Sequence, residues 1–400
     1  MTKRDKDLLL KNNLKKGTNL VAVRSHNERL VLQLVREQGA LTKADATRAT
    51  GLSANAISVL FRALEEDGLL LRDKPIRGKI GQPSTPLRIN PEARHYATLK
   101  IGRRSLELAV VNFAGEIVSL AHQPQPFPTP DKTLAFVRNE LSNVLRAARK
   151  SRKSISAMAI ASPNELWSWT EEFGAPRKEM EAWRTFDLVR ALEDIVPWEV
   201  LVENDATAAC RAELLFGTHA DKQNWIYFYV GTFIGGGVVL NGNIYTGSRG
   251  NAGGFGPMRV PDQAGGNRLV DHASLVVLER MISAQGGQPF DIYDETQDWQ
   301  PYETLVGSWI SDAGRNLAHA TVSALSVLDF ESVVIDGALP AQVKDRLVAE
   351  VREQLEETDL QGVHMPEIEA GTLGHRARTL GAAATLISAE YVNELNSIGA

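Results

Sequence analysis

The stretch GALTKADATRATGLSANAISVLFRALEEDG, residues 39–68, decides how the first part of this chain folds. It follows an amphipathic helix that we predict for residues 28–38, and its first residue, Gly39, is of a type that commonly ends a helix. A second glycine, Gly51, divides the rest of the stretch into two further helical segments. The pattern therefore predicts three short helices in succession.

Polar residues at the start of the second and third helices support this division. Thr42 has the position of an N-cap, with Asp45 three residues later, and Ser53 caps the third helix. The apolar residues of the third helix recur at helical steps: Ile57, Leu60, Phe61 and Leu64. The opposite face carries mostly small and polar residues: Ala54, Asn55, Ser58, Val59 and Arg62. Two helices joined by a tight turn form a helix-turn-helix, and a second helix with such a face suits contact with base edges in the major groove.

The residues that follow predict a wing beside this motif. Residues 69–71 are apolar, residues 72–83 contain two glycines and two prolines, and residues 87–90 read as a short return strand. Cations of this hairpin, Arg77 and Lys79, are placed to contact a DNA backbone or a minor groove.

Charge is divided unevenly along the chain. Residues 1–90 carry a net charge of +8, whereas the whole chain carries −5, which leaves −13 for residues 91–400. This asymmetry is expected when one part of a protein meets phosphate and the rest does not. The alternative is a three-helix packing module that contacts protein. For DNA contact we expect these residues: Thr42, Ser53, Asn55, Ser58, Arg62, Arg77 and Lys79.

The composition is that of a globular chain with a core. Apolar residues make up 43% of the 400 residues and charged residues 23%, which is ordinary for two or three domains. A single cysteine, Cys210, allows no internal disulfide framework. Residues 1–17 do not read as a signal peptide, and the apolar run 225–240 contains four glycines and is too short to span a membrane. We therefore expect a cytoplasmic protein.

Beyond the wing, strands and helices alternate, which predicts a layered α/β body. Strands are predicted at 97–101, 106–112, 116–122, 155–160, 199–202, 225–230, 236–240 and 332–335. Helices are predicted at 132–150, 187–195, 206–216, 265–285, 303–328, 343–356 and 379–390.

The order of these elements, interrupted by glycine loops, resembles the actin-like ATPase and sugar kinase architecture. More closely, from about residue 19 to the C-terminus, the chain resembles the ROK family, which groups transcriptional repressors with sugar kinases. The segments that carry the resemblance are 97–112, 203–206, 231–237, 241–242, 252–253, 334–337 and 380–383. The resemblance implies an N-terminal winged helix-turn-helix followed by an actin-like, two-lobed α/β body.

The chain departs from this family where kinase chemistry is expected. In ROK kinases the first hairpin carries Asp-x-Gly-Gly-Thr, and the matching residues 100–104 read KIGRR. Lys100 replaces the metal-side carboxylate, while Arg103 and Arg104 replace small residues that phosphate needs for close approach. We therefore expect no family-type binding of Mg-ATP, no enzyme activity and no cofactor.

The second glycine loop, residues 231–237, survives in part, with Phe233 at a family glycine position. We interpret it as a tight hairpin kept for folding, because glycine serves turns with positive φ, rather than as a nucleotide site.

The family's sugar and zinc motifs are also altered. Where relatives carry Ala-Gly-Glu-x-Gly-His, residues 252–257 read AGGFGP, so the glutamate and the histidine are missing. The family's zinc cysteines fall near residues that cannot supply thiolates: Pro261, Gln263 and Arg268. We therefore predict no zinc or other metal, and we expect the scattered histidines, including His95 and His219, at the surface or at helix ends.

Asp205 matches the family's catalytic base, and Asn204 a residue that contacts sugar hydroxyls. Both follow a predicted strand, where ligands of α/β proteins usually lie. Both could equally cap the helix that follows, and the two roles can coexist. With Asn164 and Asn251, they are our candidates for binding an effector.

Together these observations predict a DNA-binding transcriptional regulator, a repressor that responds to a sugar or a sugar-derived metabolite and acts as a homo-oligomer, dimer or tetramer. The alternatives are an ATP-dependent sugar kinase and a constitutive DNA-binding dimer without an effector. We expect an arm at 1–18, the winged helix at 19–90, a first lobe at 91–215 with the C-terminal helix 376–398, and a dimerising second lobe at 216–375.

Overall fold

The structure is a computed structural model of the chain and describes residues 26–75, 85–168, 170–219, 221–261, 267–293 and 298–393. The chain divides into two compact units, one of Met1–Asn90 with Ile387–Ala400, and one of Pro91–Leu386. Within the described ranges, no helix is long and apolar enough to cross a membrane.

The first unit is a winged helix-turn-helix. Its helices are α1 (His26–Gln38), α2 (Lys43–Thr50) and α3 (Ala54–Glu66), and its strands are β1 (Ala40–Leu41), β2 (Leu70–Arg72) and β3 (Leu87–Ile89). The strands form an antiparallel sheet in the order β1-β3-β2. Residues 76–84, at the tip of the predicted wing, lie outside the described residues.

Local sequence explains where these helices begin and end. Thr42 and Asp45 form a capping box at the start of α2, and the Ser53 hydroxyl accepts a hydrogen bond from Ala56 N at the start of α3. Gly51 ends α2 with a φ of 69°, a conformation that L side chains rarely adopt. The turn between α2 and α3 is therefore set by its own residues.

The second unit contains two five-stranded sheets. The first has the order β6-β5-β4-β7-β8, in which β4 to β6 form an antiparallel meander and β7 and β8 run parallel to β4. Its strands are β4 (His95–Ile101), β5 (Ser105–Asn112), β6 (Ile117–Pro124), β7 (Ala157–Ser162) and β8 (Val200–Asn204). The second has the order β11-β10-β9-β12-β13. Its strands are β9 (Trp225–Val230), β10 (Gly235–Leu240), β11 (Asn243–Ile244), β12 (Ser332–Gly337) and β13 (Glu367–Ala370).

Helices cover both sheets, which makes the body a two-lobed α/β structure. They are α4 (Pro130–Ala147), α5 (Arg177–Met180), α6 (Leu188–Glu193), α7 (Asp205–Phe216), α8 (Leu275–Ala284), α9 (Glu303–Leu325), α10 (Ala341–Glu356) and α11 (Ala377–Tyr391). Alternate side chains of β9 enter different cores, as the period of two in a strand requires. Phe228 packs in the core that contains Trp309 of α9, whereas Tyr227 packs in the core that contains Cys210 of α7.

Two predictions need correction. The region 265–285 was expected to be largely helical, but its α-helix begins only at Leu275, after a 3-10 turn at Leu269–Asp271. Strands β1, β11 and β13 were not predicted. β1 and β11 have two residues each and β13 has four, so none of them carries a long apolar pattern.

Candidate functional site

The third helix of the winged unit has one buried and one exposed face. Ile57, Phe61 and Leu64 are buried, while Asn55 and Arg62 are exposed on the other side of α3. Val59 lies between them with 59% of its surface exposed, which is high for a valine. Sequence reasoning placed Val59 on this face but not among the expected contacts, although an apolar residue outside the buried stripe was a visible signal.

Three predicted DNA contacts already use their hydroxyls within the protein. Thr42 and Ser53 cap helices, and Ser58 Oγ donates to Ala54 O at 2.8 Å in its own helix. Asn55 and Arg62 are the exposed members of the predicted set on α3. Two others, Arg77 and Lys79, lie outside the described residues.

The four predicted effector residues come from neighbouring chain segments. Asn164 Nδ2 donates to Asn251 Oδ1 at 3.2 Å. Asn204 lies opposite Ser162 of the adjacent strand β7. Ser162 comes two residues before Asn164 in the chain. Asn164, Asn204 and Asp205 therefore lie at the carboxyl ends of β7 and β8, where a ligand of an α/β sheet is expected, and Asn251 contacts them through Asn164.

Two of these residues also have structural roles. Asn204 Oδ1 caps α7 by accepting from Ala206 N and Thr207 N at 3.2 and 3.1 Å. Asp205 does not act as the cap: its Oδ2 accepts from Arg378 Nη1 at 3.2 Å. The ion pair with Arg378 engages the carboxylate that matches the family's catalytic base.

Asn251 occupies space that a side chain at position 254 would need. A Cβ built on Gly254 would lie 3.0 Å from Asn251 Nδ2. A side chain at position 254 would therefore require Asn251 to shift by a few tenths of an ångström.

The first hairpin of the body carries three cations, two of which form ion pairs with glutamates. Lys100 Nζ donates to Glu107 Oε1 at 2.5 Å, and Arg104 Nε donates to Glu279 Oε2 at 3.1 Å. Burial acts against ionisation of Glu107, but Lys100 and its other polar neighbours hold the pKa of the Glu107 carboxyl well below its usual range. Ion pairs within the protein thus form at residues 100–104, where ROK kinases carry a carboxylate and small residues.

Arg103, the third cation, stacks on an aromatic side chain. Its guanidinium carbon lies 4.6 Å from the ring centre of Phe233, and burial lowers the pKa of Arg103 to about 10. Phe233, at the family glycine position, is therefore a platform for a cation.

Glycines of the second loop are required for close packing rather than for positive φ. A Cβ on Gly237 would lie 2.4 Å from Cys210 Cβ, and one on Gly235 would lie 2.8 Å from Ala206 Cβ. Both glycines belong to β10, which packs against α7, and neither has a positive φ. We expected these glycines to serve folding by allowing positive φ, whereas in the structure they allow β10 to pack closely against α7.

Sequence reasoning missed the partners that complete this region. Arg378 comes from α11, and Glu279 from α8, both far along the chain from the hairpin. Although burial acts to lower it, the pKa of Arg378 is raised by Tyr229 and Asp205. A lone arginine in a helix of small residues gives no local signal of such a role.

The expectations of no metal site and of histidines at the surface or at helix ends apply here to the described residues. Within those ranges, no three His, Cys, Asp or Glu side chains are grouped to hold a metal ion. Gln263 lies outside them, so the absence of zinc stays a prediction. The expectation for histidines was wrong at His95 and His219, which are both 3% exposed. The Glu213 carboxylate lies 3.0 Å from His219 Nδ1, whereas burial lowers the pKa of His95 and so favours its neutral form.

Comparison with known proteins assigns the family. Residues 96–389 match the sequence profile of the ROK family, and the chain belongs to that family. The chain is 20% identical over 339 residues to the DNA-binding transcriptional dual regulator NagC of Escherichia coli, covering 80% of this chain and 82% of NagC.

Two solved structures share the fold. A ROK family transcriptional regulator described as a homolog of the E. coli MLC protein is 20% identical, with a TM-score of 0.63 over 92% of this chain and 97% of that one. A ROK family glucokinase from Streptomyces griseus, in complex with glucose and AMPPNP, is also 20% identical, with a TM-score of 0.57. That likeness covers 73% of this chain and 98% of the glucokinase.

Proposed function

We propose that this protein is a transcriptional regulator, a repressor that binds double-stranded DNA through its winged helix. The observation that carries the proposal is the face of α3, where Asn55, Val59 and Arg62 are exposed on a helix whose start is capped. Membership of the ROK family and similarity to the DNA-binding transcriptional regulator NagC support it. Acting as a homodimer, or as a tetramer built from dimers, the protein would match a roughly palindromic operator.

Selection from genomic DNA with the purified full chain tests this function. At a stated salt concentration, we expect an inverted repeat to be recovered. Arg62→Gln should weaken binding to that repeat about tenfold or more, since a bidentate contact to guanine is worth ~1–3 kcal/mol. Arg62→Lys keeps the positive charge but loses the guanidinium that can donate two hydrogen bonds to guanine. This variant therefore separates base recognition from attraction to phosphate.

If wild type and both variants bind every sequence alike, and binding disappears with salt, the winged helix is a general phosphate binder and the proposal fails.

We further propose that the body senses a sugar or a sugar-derived metabolite at Asn164, Asn204, Asp205 and Asn251, and that it has no kinase activity. Lys100 paired with Glu107, and Asp205 paired with Arg378, support the loss of kinase chemistry. Full-length protein incubated with ATP, magnesium and a panel of monosaccharides should form no sugar phosphate above background. Sugar phosphorylation that Asp205→Asn abolishes would instead establish a kinase.

Contacts of α11 support the proposed first lobe of 91–215 with the C-terminal helix 376–398. Thr385 Oγ1 donates to Glu203 Oε2 at 3.4 Å, and Gly381 lies so close to Ala208 that a Cβ would fall 2.1 Å from the Ala208 carbonyl oxygen. The second lobe, 216–375, is proposed to carry the dimer contact. Hydrogen exchange compared above and below the dimer's dissociation concentration tests this, because protection should change within 216–375.

A further inference from the structure

A cavity of about 370 Å³ in the body is lined by side chains that would suit an anion. Its size falls in the range of small-molecule sites. Cations reach it from three elements: the first hairpin, α10 and α11. They are Lys100, Arg103, Arg104, Lys344 and Arg378.

Most of the carboxylates that balance these cations lie away from the cavity wall. Glu279 pairs with Arg104, Asp336 with Lys344, and Asp205 with Arg378, yet none of these three acids lines the cavity. Among the described residues of the lining, Glu107, paired with Lys100, is the acidic side chain. The wall therefore presents mainly positive charge, while the compensating negative charge lies behind it.

Arg103 is the cation whose position most suggests a missing partner. It stacks on Phe233 and donates to Glu165 O at 3.4 Å, and its Nε is a buried atom without a hydrogen bond among the described residues. A buried guanidinium N–H without an acceptor is costly, and an anion in the cavity would supply that acceptor.

The start of α10 adds further donors. Pro340 and Ala341 line the cavity, α10 has 16 residues, and no side chain caps its first turn. Free N–H groups at a helix N-terminus favour an anion. Tyr293 and Trp299 also line the cavity and give it an aromatic part.

We propose that this cavity binds a small organic phosphate without a divalent metal ion. Arginine and lysine side chains would neutralise the phosphate, and the aromatic side chains of the lining would contact the organic part. Lys100 stands where a metal-side carboxylate would be needed, so a cation of the protein takes the role that magnesium has in phosphate binding by kinases. This site adjoins the proposed effector residues, because its Arg378 pairs with Asp205, and it would exist whether or not the winged helix binds DNA.

Titration calorimetry of the full-length protein, without DNA and in the presence of EDTA, tests the proposal. The probes are glucose 6-phosphate, inorganic pyrophosphate and neutral glucose. We expect both phosphates to bind with one site per chain, and Arg103→Gln to weaken them about tenfold or more, as for loss of a charged hydrogen bond.

Two more variants sharpen the test. Arg138→Gln removes an exposed arginine of α4 away from the cavity, changes the net charge equally and should leave binding unchanged. Ala338→Glu places a carboxylate in the cavity lining and should abolish binding even if Arg103→Gln folds poorly.

The proposal is overturned if phosphates bind only with magnesium, because the cavity would then work as a kinase site does. It is equally overturned if Arg103→Gln and Arg138→Gln weaken binding alike, since that marks non-specific charge attraction, or if no phosphate binds the wild type.

Discussion

At the scale of single residues, Val59 has the position to read a base in the proposed complex. It is 59% exposed between Asn55 and Arg62, so most of its isopropyl group is open to solvent or a ligand. The apolar group that the major groove offers is the methyl of thymine. Val59→Ala should therefore weaken binding to the selected operator about fourfold, as expected for one buried methylene-sized contact.

Replacing single thymines of the operator by uracil tests this contact, because it removes only the methyl group. At the position that Val59 reads, uracil should cost wild type about fourfold and the Val59→Ala protein almost nothing, a coupling measurable by fluorescence anisotropy. Losses that simply add at every thymine would place Val59 away from any methyl.

Residues that act through neighbours in the chain could be identified from sequence, and those that act through distant partners could not. Helical spacing alone placed Asn55 and Arg62 on the outer face of α3. Asp205 was also identified, but its partner Arg378 lies 173 residues away, and only the folded chain brings the two together. The negative charge of Asp205 could therefore be predicted from the sequence, whereas its neutralisation by Arg378 could not.

At the scale of elements, the cap of α3 lies where the proposed DNA contact begins. The Ser53 hydroxyl accepts from Ala56 N at 3.2 Å and Ser53 is exposed. Asp and Asn both cap helices well, so Ser53→Asp and Ser53→Asn should unfold at nearly the wild-type temperature, whereas Ser53→Ala should lose about 1 kcal/mol.

DNA binding should separate these variants. The aspartate adds a negative charge near phosphate, so Ser53→Asp should lose most operator affinity while Ser53→Asn keeps it. Equal affinity of the two would show that the start of α3 does not approach DNA.

The packing of β10 against α7 gives a second prediction for an element. Gly237→Ala should lower the free energy of unfolding by about 1–3 kcal/mol, because its Cβ would lie 2.4 Å from Cys210 Cβ. Gly307→Ala is the matched control within α9, since its Cβ would meet nothing closer than 3.7 Å, and it should stabilise the protein by about 0.5–1 kcal/mol. Urea unfolding of both variants measures the difference, and a loss of similar size in both would contradict the packing argument.

Long elements with a strong period were predictable, and elements defined by pairing were not. Residues 225–230 were predicted as a strand and form β9 with the same bounds, because six apolar and aromatic residues are buried there. β1 has two residues and exists through its pairing with β3, so its own sequence carries too little pattern.

At the scale of the whole molecule, His219 links the stability of the body to pH. Its Nδ1 lies 3.0 Å from Glu213 Oε1, and Glu213 also accepts from Thr372 N. Burial acts to lower the pKa of His219, but the Glu213 carboxylate raises it above the usual 6.5. A raised folded pKa stabilises the protein fully below pH 6.5, and this contribution is lost as the pH rises through the folded pKa.

Urea unfolding at pH 6 and pH 9 measures this contribution. The wild type should lose more stability over that interval than His219→Gln, whose side chain does not titrate. Glu213, whose pKa is held below its usual value, stays ionised throughout and does not change the comparison. An identical pH dependence in both proteins would show that His219 is not charged at pH 6.

The last prediction concerns coupling between the proposed effector site and the proposed DNA contact. If one sugar from a monosaccharide panel raises the melting temperature, it binds the native state, and it should also change operator affinity by about 5–150-fold. Reciprocity then requires that saturating operator DNA change the affinity for that sugar by the same factor, which calorimetry with and without DNA measures.

Asn251→Ala should weaken binding of the sugar while leaving sugar-free operator binding unchanged, since Asn251 lies in the body and not in the winged unit. A sugar that binds and leaves operator affinity unaltered would refute regulation by linkage, and would favour a dimer that binds DNA constitutively.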